Sequence, residues 1–320
     1  MRGLGAALIA LALAACAPQS PPLPAAPVAA GPAIRVVAQP VPEGVERPDG
    51  RFVWAGGLAL TSLDSARLHG LSDLEVSPDL KFIAVSDDGD LVRGRITLDD
   101  AGRLSGVADV TLRPLSDAKG QSISGDKLRA DAEGLVVWPN GDLMVSFERD
   151  HRIWVYPAAG GPPRVAPHPR TSFPDNDGME ALARAPALGA NAYLVGREDT
   201  RETWICRLSA ECRPGFTAPS EGPGALVAAR ALPGGRWALL LRDFQPLFGN
   251  TIQLVITDTA GKPLDRLTIR RPATVDNHEG LAALPRRDGS IRFYVLSDDN
   301  FNPAQRSLLV AYDWTPALKR

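Results

Sequence analysis

The stretch "HEGLAALPRRDGSIRFYVLSDDN" (278–300) contains two apolar runs around a turn signal and ends on charged residues. "GLAALP" and "RFYVLS" have the length and residue types of β-strands, and "RRDG" is a turn former. The same plan of a small or acidic start, a strand, a turn, a strand and a charged end returns in segments that begin at Asp73, Ala132, Met179 and Gly224. These units lie roughly fifty residues apart, which is typical of four-stranded propeller blades.

The repeat predicts an all-β protein that forms one β-propeller of six blades, each with four antiparallel strands. Five units are visible, and the chain after residue 51 has room for a sixth, less regular one. We expect "RFVWAGGLALTS" (51–62) to pair with "SLLVAYDW" (307–314), because closing the ring in this way removes exposed sheet edges. A jelly roll is the alternative, although it does not predict a repeat.

Residues 1–15 have the pattern of a secretory signal peptide, with one basic residue and an apolar run that is too short for a membrane span. "LAAC" (13–16) resembles a bacterial lipobox, in which cleavage leaves Cys16 as a lipid-modified N-terminus. A plain signal peptide cut elsewhere is the alternative. The expected location is the bacterial cell envelope, with the protein lipid-anchored and facing the periplasm, and Ala17 is compatible with the outer membrane.

Residues 16–42 are rich in proline and alanine and predict an extended tether, so the propeller domain is expected at 43–320. The formal net charge of −2 and the pI near 6.1 argue against a nucleic-acid partner. We expect a monomer that contacts the membrane only through its lipid. In an oxidising compartment Cys206 and Cys212 could form a disulfide or remain free thiols.

Acidic residues recur at two places in the repeat, at the start of the first strand and after the second strand. A hairpin places these two positions at the same edge, and a propeller gathers such edges at one mouth of its channel. Two like charges about 4 Å apart repel by about 4 kcal/mol at an effective dielectric of 20. Such a cluster therefore needs raised pKa values, nearby arginines or a bound cation. The residues are Glu75, Glu133, Glu180 and Glu279 at strand starts, and Asp87, Asp88, Glu148, Asp150, Glu198, Asp199, Asp243, Asp298 and Asp299 after strand ends.

The sequence offers both arginines and oxygen ligands to compensate this charge. Arg149, Arg197 and Arg242 lie in the repeat itself, and Asn277 and Asn300 add neutral oxygen atoms. Ca²⁺ takes roughly six to eight oxygen ligands and is favoured over zinc, because the four histidines are scattered. The alternatives are ordinary acidic turns, ion pairs between blades, or a calcium ion that only stiffens the ring.

Nucleophile and nucleotide-binding signatures are absent from the sequence. There is no G-x-S-x-G elbow, no P-loop, no G-x-G-x-x-G after a strand and no H-E-x-x-H. Any catalysis would fall to carboxylates, arginines and His278.

The phrases "DAEGL" (131–135), "FERDHRIWVY" (147–156), "DGMEAL" (177–182), "DNHEGLAAL" (276–284) and "LSDDNFNPAQRSLLVAYDW" (296–314) resemble the bacterial phytase-like family, whose members are described as esterase-like. The resemblance implies a β-propeller, and better-studied propeller phytases use calcium to bind phosphate and to activate water. The first and fourth units, "GLSDLEV" and "EGPGAL", depart from the E-G pattern. Carried over, the resemblance implies that Arg149 and Arg197 clamp an anion and that the metal ligands include Glu133, Glu180, Glu279, Asp298 and Asp299.

Together these observations predict an envelope-anchored propeller hydrolase that acts on a small anionic phosphoester or carboxylic ester at a calcium-binding acidic mouth. A non-catalytic propeller that binds a ligand or an envelope protein is the alternative, and a lactonase-like enzyme is a third reading. The predicted catalytic residues are Glu133, Glu279 and His278. The predicted substrate-binding residues are Arg149, Arg197 and Arg242. The predicted metal ligands are Glu75, Glu133, Glu180, Glu279, Asp298 and Asp299.

Overall fold

The computed structural model describes residues 31–43 and 51–317. The predicted signal peptide, Cys16 and most of the predicted tether lie outside the described residues. The described chain forms five antiparallel sheets, whose innermost strands lie side by side in a closed ring. This arrangement confirms the all-β propeller.

The strands follow one another along the chain with little helix between them. In chain order they are β1 (Val36–Pro40), β2 (Phe52–Ser62), β3 (Leu71–Val76), β4 (Lys81–Ser86), β5 (Asp90–Leu98), β6 (Leu104–Pro114), β7 (Ala132–Val137), β8 (Leu143–Phe147), β9 (Arg152–Tyr156), β10 (Arg164–Val165), β11 (Ala181–Arg184), β12 (Ala192–Gly196), β13 (Glu202–Arg207), β14 (Ala210–Thr217), β15 (Ala225–Ala231), β16 (Trp237–Gln245), β17 (Gly249–Thr257), β18 (Pro263–Arg270), β19 (Asn277–Pro285), β20 (Ile291–Asp298) and β21 (Ser307–Trp314). The helical segments are α1 (Lys127–Ala130) and two 3₁₀ turns, Pro186–Leu188 and Pro233–Gly235.

The propeller has five blades, so the prediction of six was wrong. Blades 1 to 4 are β3–β6, β7–β10, β11–β14 and β15–β18, and blade 5 has the order β19-β20-β21-β2-β1. The last repeat unit supplies only three strands to its blade. The N-terminal strands complete that blade and do not begin a sixth. The predicted closure of the ring is confirmed, since β2 pairs with β21 from Phe52↔Trp314 to Leu60↔Ser307.

Five clusters of buried apolar side chains within the described residues hold the blades together, one at each interface between neighbours. The alternation read from the sequence explains this packing, because successive strand residues point to opposite faces of a sheet. In β16, for example, Leu239 and Leu241 pack toward blade 3, whereas Leu240 packs toward blade 5. Each blade is therefore buried on both faces.

The fold begins earlier than the predicted boundary at residue 43. Val36–Pro40 pairs with β2, and Ala33 forms a bridge to Thr111 of β6. These residues span the seam between blades 5 and 1. The cause is the short apolar stretch "IRVVA" (34–38), which provides strand residues within a segment that otherwise reads as tether.

One face of the ring carries all five connections between blades, at residues 63–70, 115–131, 166–180, 218–224 and 271–276. We call it the mouth face. The hairpins that join the second and third strands of each unit lie on this face too, because the strands alternate in direction. The starts of the first strands and the ends of the second strands therefore meet there, as the sequence predicts.

The centre of the ring is closed by a buried ion pair between Asp73 and Arg230. Arg230 Nη2 lies 2.8 Å from both carboxylate oxygens of Asp73. Asp73 also accepts the backbone N–H groups of Leu135 and Leu281, and Arg230 donates to the carbonyl oxygen of Leu182. These five residues belong to the inner strands of five different blades, so one hydrogen-bonded hub joins the whole ring.

The two remaining cysteines are bonded to each other. Cys206 of β13 and Cys212 of β14 form a disulfide across their hairpin, which answers the question that the sequence left open. Among the described residues no helix is both long and apolar enough to cross a membrane.

Candidate functional site

A cavity of about 410 Å³ opens on the mouth face and is lined almost entirely by polar groups. Nine carboxyl groups and three cationic side chains contribute to it, a formal excess of six negative charges. The lining residues are Asp87, Lys127, Asp131, Glu133, Glu148, Arg149, Asn176, Asp177, Glu180, Glu198, Arg242, Glu279, Asp298, Asn300 and Phe301.

Two trios of carboxylates within this cavity approach closely enough to share a cation. Asp131, Glu133 and Glu148 each place an oxygen atom within 4.8 Å of the other two. Glu148, Glu180 and Glu198 do the same. Glu148 belongs to both trios, so the cavity offers two adjoining groups of oxygen ligands with one shared member.

The repeat explains why these side chains converge. Asp87, Glu148 and Glu198 follow the second strands of blades 1 to 3, and Asp298 ends the second strand of blade 5. Blade 4 differs, because Arg242 of β16 enters the cavity instead of an acid. Blades 1, 2, 3 and 5 thus each contribute a carboxylate at the same point of the fold, and blade 4 contributes a cation.

The three cations neutralise particular carboxylates. Lys127 Nζ lies 2.7 Å from Asp87 Oδ2 and also contacts Asp131. Arg149 Nε lies 2.7 Å from the other oxygen of Asp131. These contacts occupy both oxygen atoms of Asp131 at one wall of the cavity.

On the opposite side, Arg242 bridges three blades. Its guanidinium contacts Glu279 and Asn277 of β19, and its Nη2 lies 3.1 Å from Glu198 Oε1. Asn277 also donates to Glu279 at 2.9 Å. Glu279 is therefore held in place by two donors.

The remaining carboxyl groups retain protons more readily than free acids do. Burial raises the pKa of Glu148 to about 7, and the nearby Asp131 and Glu198 add to the effect. Burial, followed by repulsion from neighbouring carboxylates, raises the pKa of Glu133, Glu180 and Asp298 well above the usual range. Burial is the main cause of these shifts, and the crowding of carboxylates in the cavity adds to it.

Most of the site residues predicted from the sequence lie at this cavity. The structure brings together Glu133, Glu180, Glu279, Asp298, Arg149 and Arg242, whose roles stay predictions. Four other predicted site residues lie outside the lining, namely Glu75, Asp299, Arg197 and His278.

Each of the four has a local physical reason for its position. Glu75 lies further along β3, beyond the axial hub, and its Oε1 is 3.7 Å from Arg230 Nε. Asp299 accepts the N–H of Gly70 and the hydroxyl of Ser307, which holds it in the loop after β20. Arg197 pairs with Asp199, with 2.5 Å between Nε and Oδ1. His278 is fully buried, and burial lowers its pKa to about 3.

The other acidic residues that follow second strands also fall into two groups, inside and outside the cavity lining. Asp87, Glu148 and Glu198 reach the cavity. Asp88, Asp150, Asp199 and Asp243 do not line it. At the ends of the second strands the chain enters a turn, where neighbouring side chains diverge, so Asp87, Glu198 and Asp298 line the cavity whereas Asp88, Asp199 and Asp299 do not.

Five lining residues were not predicted from the sequence, namely Phe301 and four polar residues, Lys127, Asp131, Asn176 and Asp177. All four polar residues come from connections between blades, which lack the repeat pattern. The sequence holds one weak signal for Asp131 and Asp177. Each precedes the glutamate of its blade that lines the cavity by two or three residues, in "DAEG" and "DGME".

Fold and site together define a five-bladed β-propeller with a polyanionic, oxygen-lined cavity at one mouth. Residues 66–301 match the family described as Phytase-like, esterase-like activity of phytase, and the chain belongs to this family.

Several solved propellers are similar in overall fold. A protein solved under the name gluconolactonase has 15% sequence identity and a TM-score of 0.48, with 92% of this chain and 93% of that chain covered. The calcium-binding protein regucalcin from Agrobacterium tumefaciens has 14% identity and a TM-score of 0.46, with 87% and 89% covered. A luciferin-regenerating enzyme has 14% identity and a TM-score of 0.44, with 89% and 93% covered. Comparison with curated proteins finds no match.

Proposed function

We propose that the acidic cavity binds Ca²⁺ and that the loaded site hydrolyses a small anionic phosphoester or carboxylic ester. The observation that carries this proposal is the pair of carboxylate trios that share Glu148. The nine carboxyl groups outnumber the three cationic side chains, so each carboxyl group that ionises adds to the repulsion of an anionic substrate until bound cations offset it.

The donor set fits calcium. Every candidate ligand is a carboxylate or amide oxygen, which suits a hard cation, and neither imidazole nor thiolate lines the cavity among the described residues. Asp131, Glu133, Glu148, Glu180 and Glu198 are the residues that would hold it. When bound, calcium supplies charge neutralisation for the ester's anionic oxygens and polarises the group under attack.

The chain's own residues account for the rest of the chemistry. Glu279 lies in neither trio and is oriented by Arg242 and Asn277. Burial raises its pKa although Arg242 opposes the shift, and a carboxylate of raised basicity is a suitable general base for a water molecule. Lys127 and Arg149 line the wall near Asp131 and orient the anionic group of the substrate.

We further propose that the protein is held at the bacterial envelope by a lipid on Cys16 and faces the periplasm. The lipobox-like "LAAC" and the proline-rich segment after it support this placement. Ala17 is the feature that favours the outer membrane.

Isothermal titration of the chain with CaCl₂ tests the proposal at Glu148. We expect Glu148→Gln to weaken calcium binding by about tenfold or more, because it removes the carboxylate common to both trios. Asp150→Asn is the matched control, since Asp150 is two residues away, exposed and outside the cavity. Equal calcium affinity in wild type and Glu148→Gln would contradict the calcium site.

Turnover is tested separately with a panel of phosphoesters and carboxylic esters. We expect Glu279→Gln to retain calcium binding and to lose hydrolysis. Calcium binding by the wild type without turnover of any ester would favour the alternative function, a non-catalytic propeller that captures an envelope ligand or protein.

A further inference from the structure

The hairpin between β16 and β17 carries an exposed apolar tip. Residues 244–248 read "FQPLF", and Phe244, Leu247 and Phe248 are 65%, 90% and 70% exposed. The corresponding hairpins of the other four blades are "DDG", "ERDH", "REDTR" and "DNFNPAQR", and their only large apolar side chain is Phe301 of blade 5. Blade 4 therefore departs from the repeat with a cluster of large apolar side chains in solvent, a feature that marks an interaction surface.

This tip lies on the mouth face, at the rim of the acidic cavity. Arg242 of the same strand lines the cavity, and Phe244 is two residues further along, about 7 Å at the rise of a strand. β16 runs toward the mouth face and β17 returns from it, so the tip extends outward beyond the cavity. Leu63 and Leu128, which lie in connections between blades, are exposed on the same face.

Two arginines lie next to the base of this hairpin. Arg270 ends β18 opposite Thr251 of β17. Arg271 follows it, and its Nε is 3.5 Å from the point where a Cβ on Gly249 would lie. Both arginines are exposed. Apolar side chains beside guanidinium groups match a membrane interface, where the first enter the acyl boundary and the second bind headgroup phosphates.

The path of the N-terminal segment is an independent observation that favours the same face. Pro32 accepts the N–H of Leu112 near the mouth end of β6, and β1 then runs away from the mouth face. The chain before residue 31 therefore joins the fold at the mouth face. Residues 17–30 span at most about 45 Å when extended at about 3.1 Å per residue. A lipid on Cys16 would then attach the domain to the bilayer from the side of the mouth face.

We propose that the mouth face docks on a lipid bilayer, with Phe244, Leu247 and Phe248 in the interface and Arg270 and Arg271 at the phosphates. The acidic cavity then opens toward the membrane surface. The apolar tip and the two arginines at the rim make this contact, and the carboxyl groups inside the cavity do not take part, so docking requires neither bound calcium nor turnover.

Vesicle flotation tests the proposal with residues 17–320, which contain every strand of the ring but neither the apolar N-terminal run nor Cys16. The vesicles are phosphatidylethanolamine and phosphatidylglycerol at a ratio of 3:1, and a chelator is present so that calcium cannot bridge the cavity to lipid. We expect Leu247→Ser/Phe248→Ser to reduce the fraction bound by about tenfold, because two exposed apolar side chains are lost. The matched control is Leu208→Ser/Leu264→Ser, which removes two exposed apolar side chains from the opposite face.

A wild-type segment that fails to float would overturn the proposal, and so would flotation that the tip variant leaves unchanged. Flotation lost equally in the tip variant and in the control would also overturn it, since the effect would not belong to the mouth face. If Arg270→Gln/Arg271→Gln weakens binding to these vesicles more than to pure phosphatidylcholine, the arginines contact anionic headgroups as proposed.

Discussion

Glu148 shows how one side chain acquires its properties from neighbouring blades. In the sequence it directly follows a strand, as an ordinary acidic turn residue would. In the folded chain it accepts the N–H of Gly178 at 3.0 Å and faces Asp131, before the first strand of its own blade, and Glu198, after the second strand of blade 3. Its raised pKa therefore depends on how blades 2 and 3 pack together.

At this scale we predict that the calcium-free chain loses stability as the pH rises. Burial raises the pKa of Asp87 and Glu148 to about 7 and that of Asp88 to about 6. These folded carboxyls keep protons that the unfolded chain has already lost, so the free energy of unfolding falls between about pH 4.5 and about pH 7.5. Thermal melts in chelator at several pH values measure this.

Saturating calcium should reverse much of that loss, because the cation compensates the carboxylates that form at higher pH. The calcium-induced rise in melting temperature is therefore expected to be larger at about pH 7.5 than at about pH 5. If the stability of the calcium-free chain did not change over this pH range, ionisation of the buried carboxyl groups in the cavity would not destabilise the fold, and the prediction would be wrong.

At the scale of the element, the glycine of the repeated E-G pair lets neighbouring inner strands approach. A Cβ on Gly134 would lie 2.6 Å from the carbonyl oxygen of Glu180, and one on Gly280 would lie 3.0 Å from the Cα of Asp73. Both contacts are to the backbone of the next blade's inner strand region. The E-G pair thus combines a ligand with the close packing that brings ligands together.

We predict that Gly134→Ala and Gly280→Ala each lower the free energy of unfolding by about 1–3 kcal/mol, the usual cost of overpacking. Gly224→Ala is the control. Gly224 stands where blade 4 lacks the glutamate, and the atom nearest to a Cβ there would be the hydroxyl oxygen at the end of the Ser220 side chain, at 3.1 Å. Urea denaturation measures all three. Equal effects at the three positions would contradict this explanation of the motif.

At the scale of the whole molecule, the Asp73–Arg230 pair takes the place of a continuous channel. Its partners lie on all five inner strands, and both side chains are almost completely buried. The acidic cavity lies at the mouth-face end of the same axis.

Removing one partner from this hub should destabilise the entire ring. We predict that Asp73→Asn lowers the free energy of unfolding by about 3–5 kcal/mol, because buried Arg230 loses its hydrogen-bonded counter-charge and keeps only the longer contact with Glu75. The exposed pair Arg95–Asp109 is the control, and Asp109→Asn should change stability by less than about 1 kcal/mol. A small effect at Asp73, measured by chemical denaturation, would show that the blades are held by their apolar interfaces alone.

The class of fold and the identity of most residues in the cavity could be predicted from the amino-acid sequence. Strand alternation and the repeat report local backbone geometry, which is why the propeller, the ring closure and the convergence of Glu133, Glu180 and Glu279 could be predicted. The family resemblance added the expectation of calcium and of an ester substrate.

The number of blades became evident in the folded chain alone, because a blade shared between strands from both ends of the described chain has no complete repeat in the sequence. The folded chain also shows which acids face the axis. Asp298 lines the cavity, whereas Asp299, one residue further along, is held outside it by hydrogen bonds with Gly70 and Ser307. Lys127 and Asp131 come from connections without a pattern, and the Asp73–Arg230 hub joins residues 157 positions apart. Such contacts depend on how five separate sheets pack around one axis, and no local signal in the chain encodes that packing.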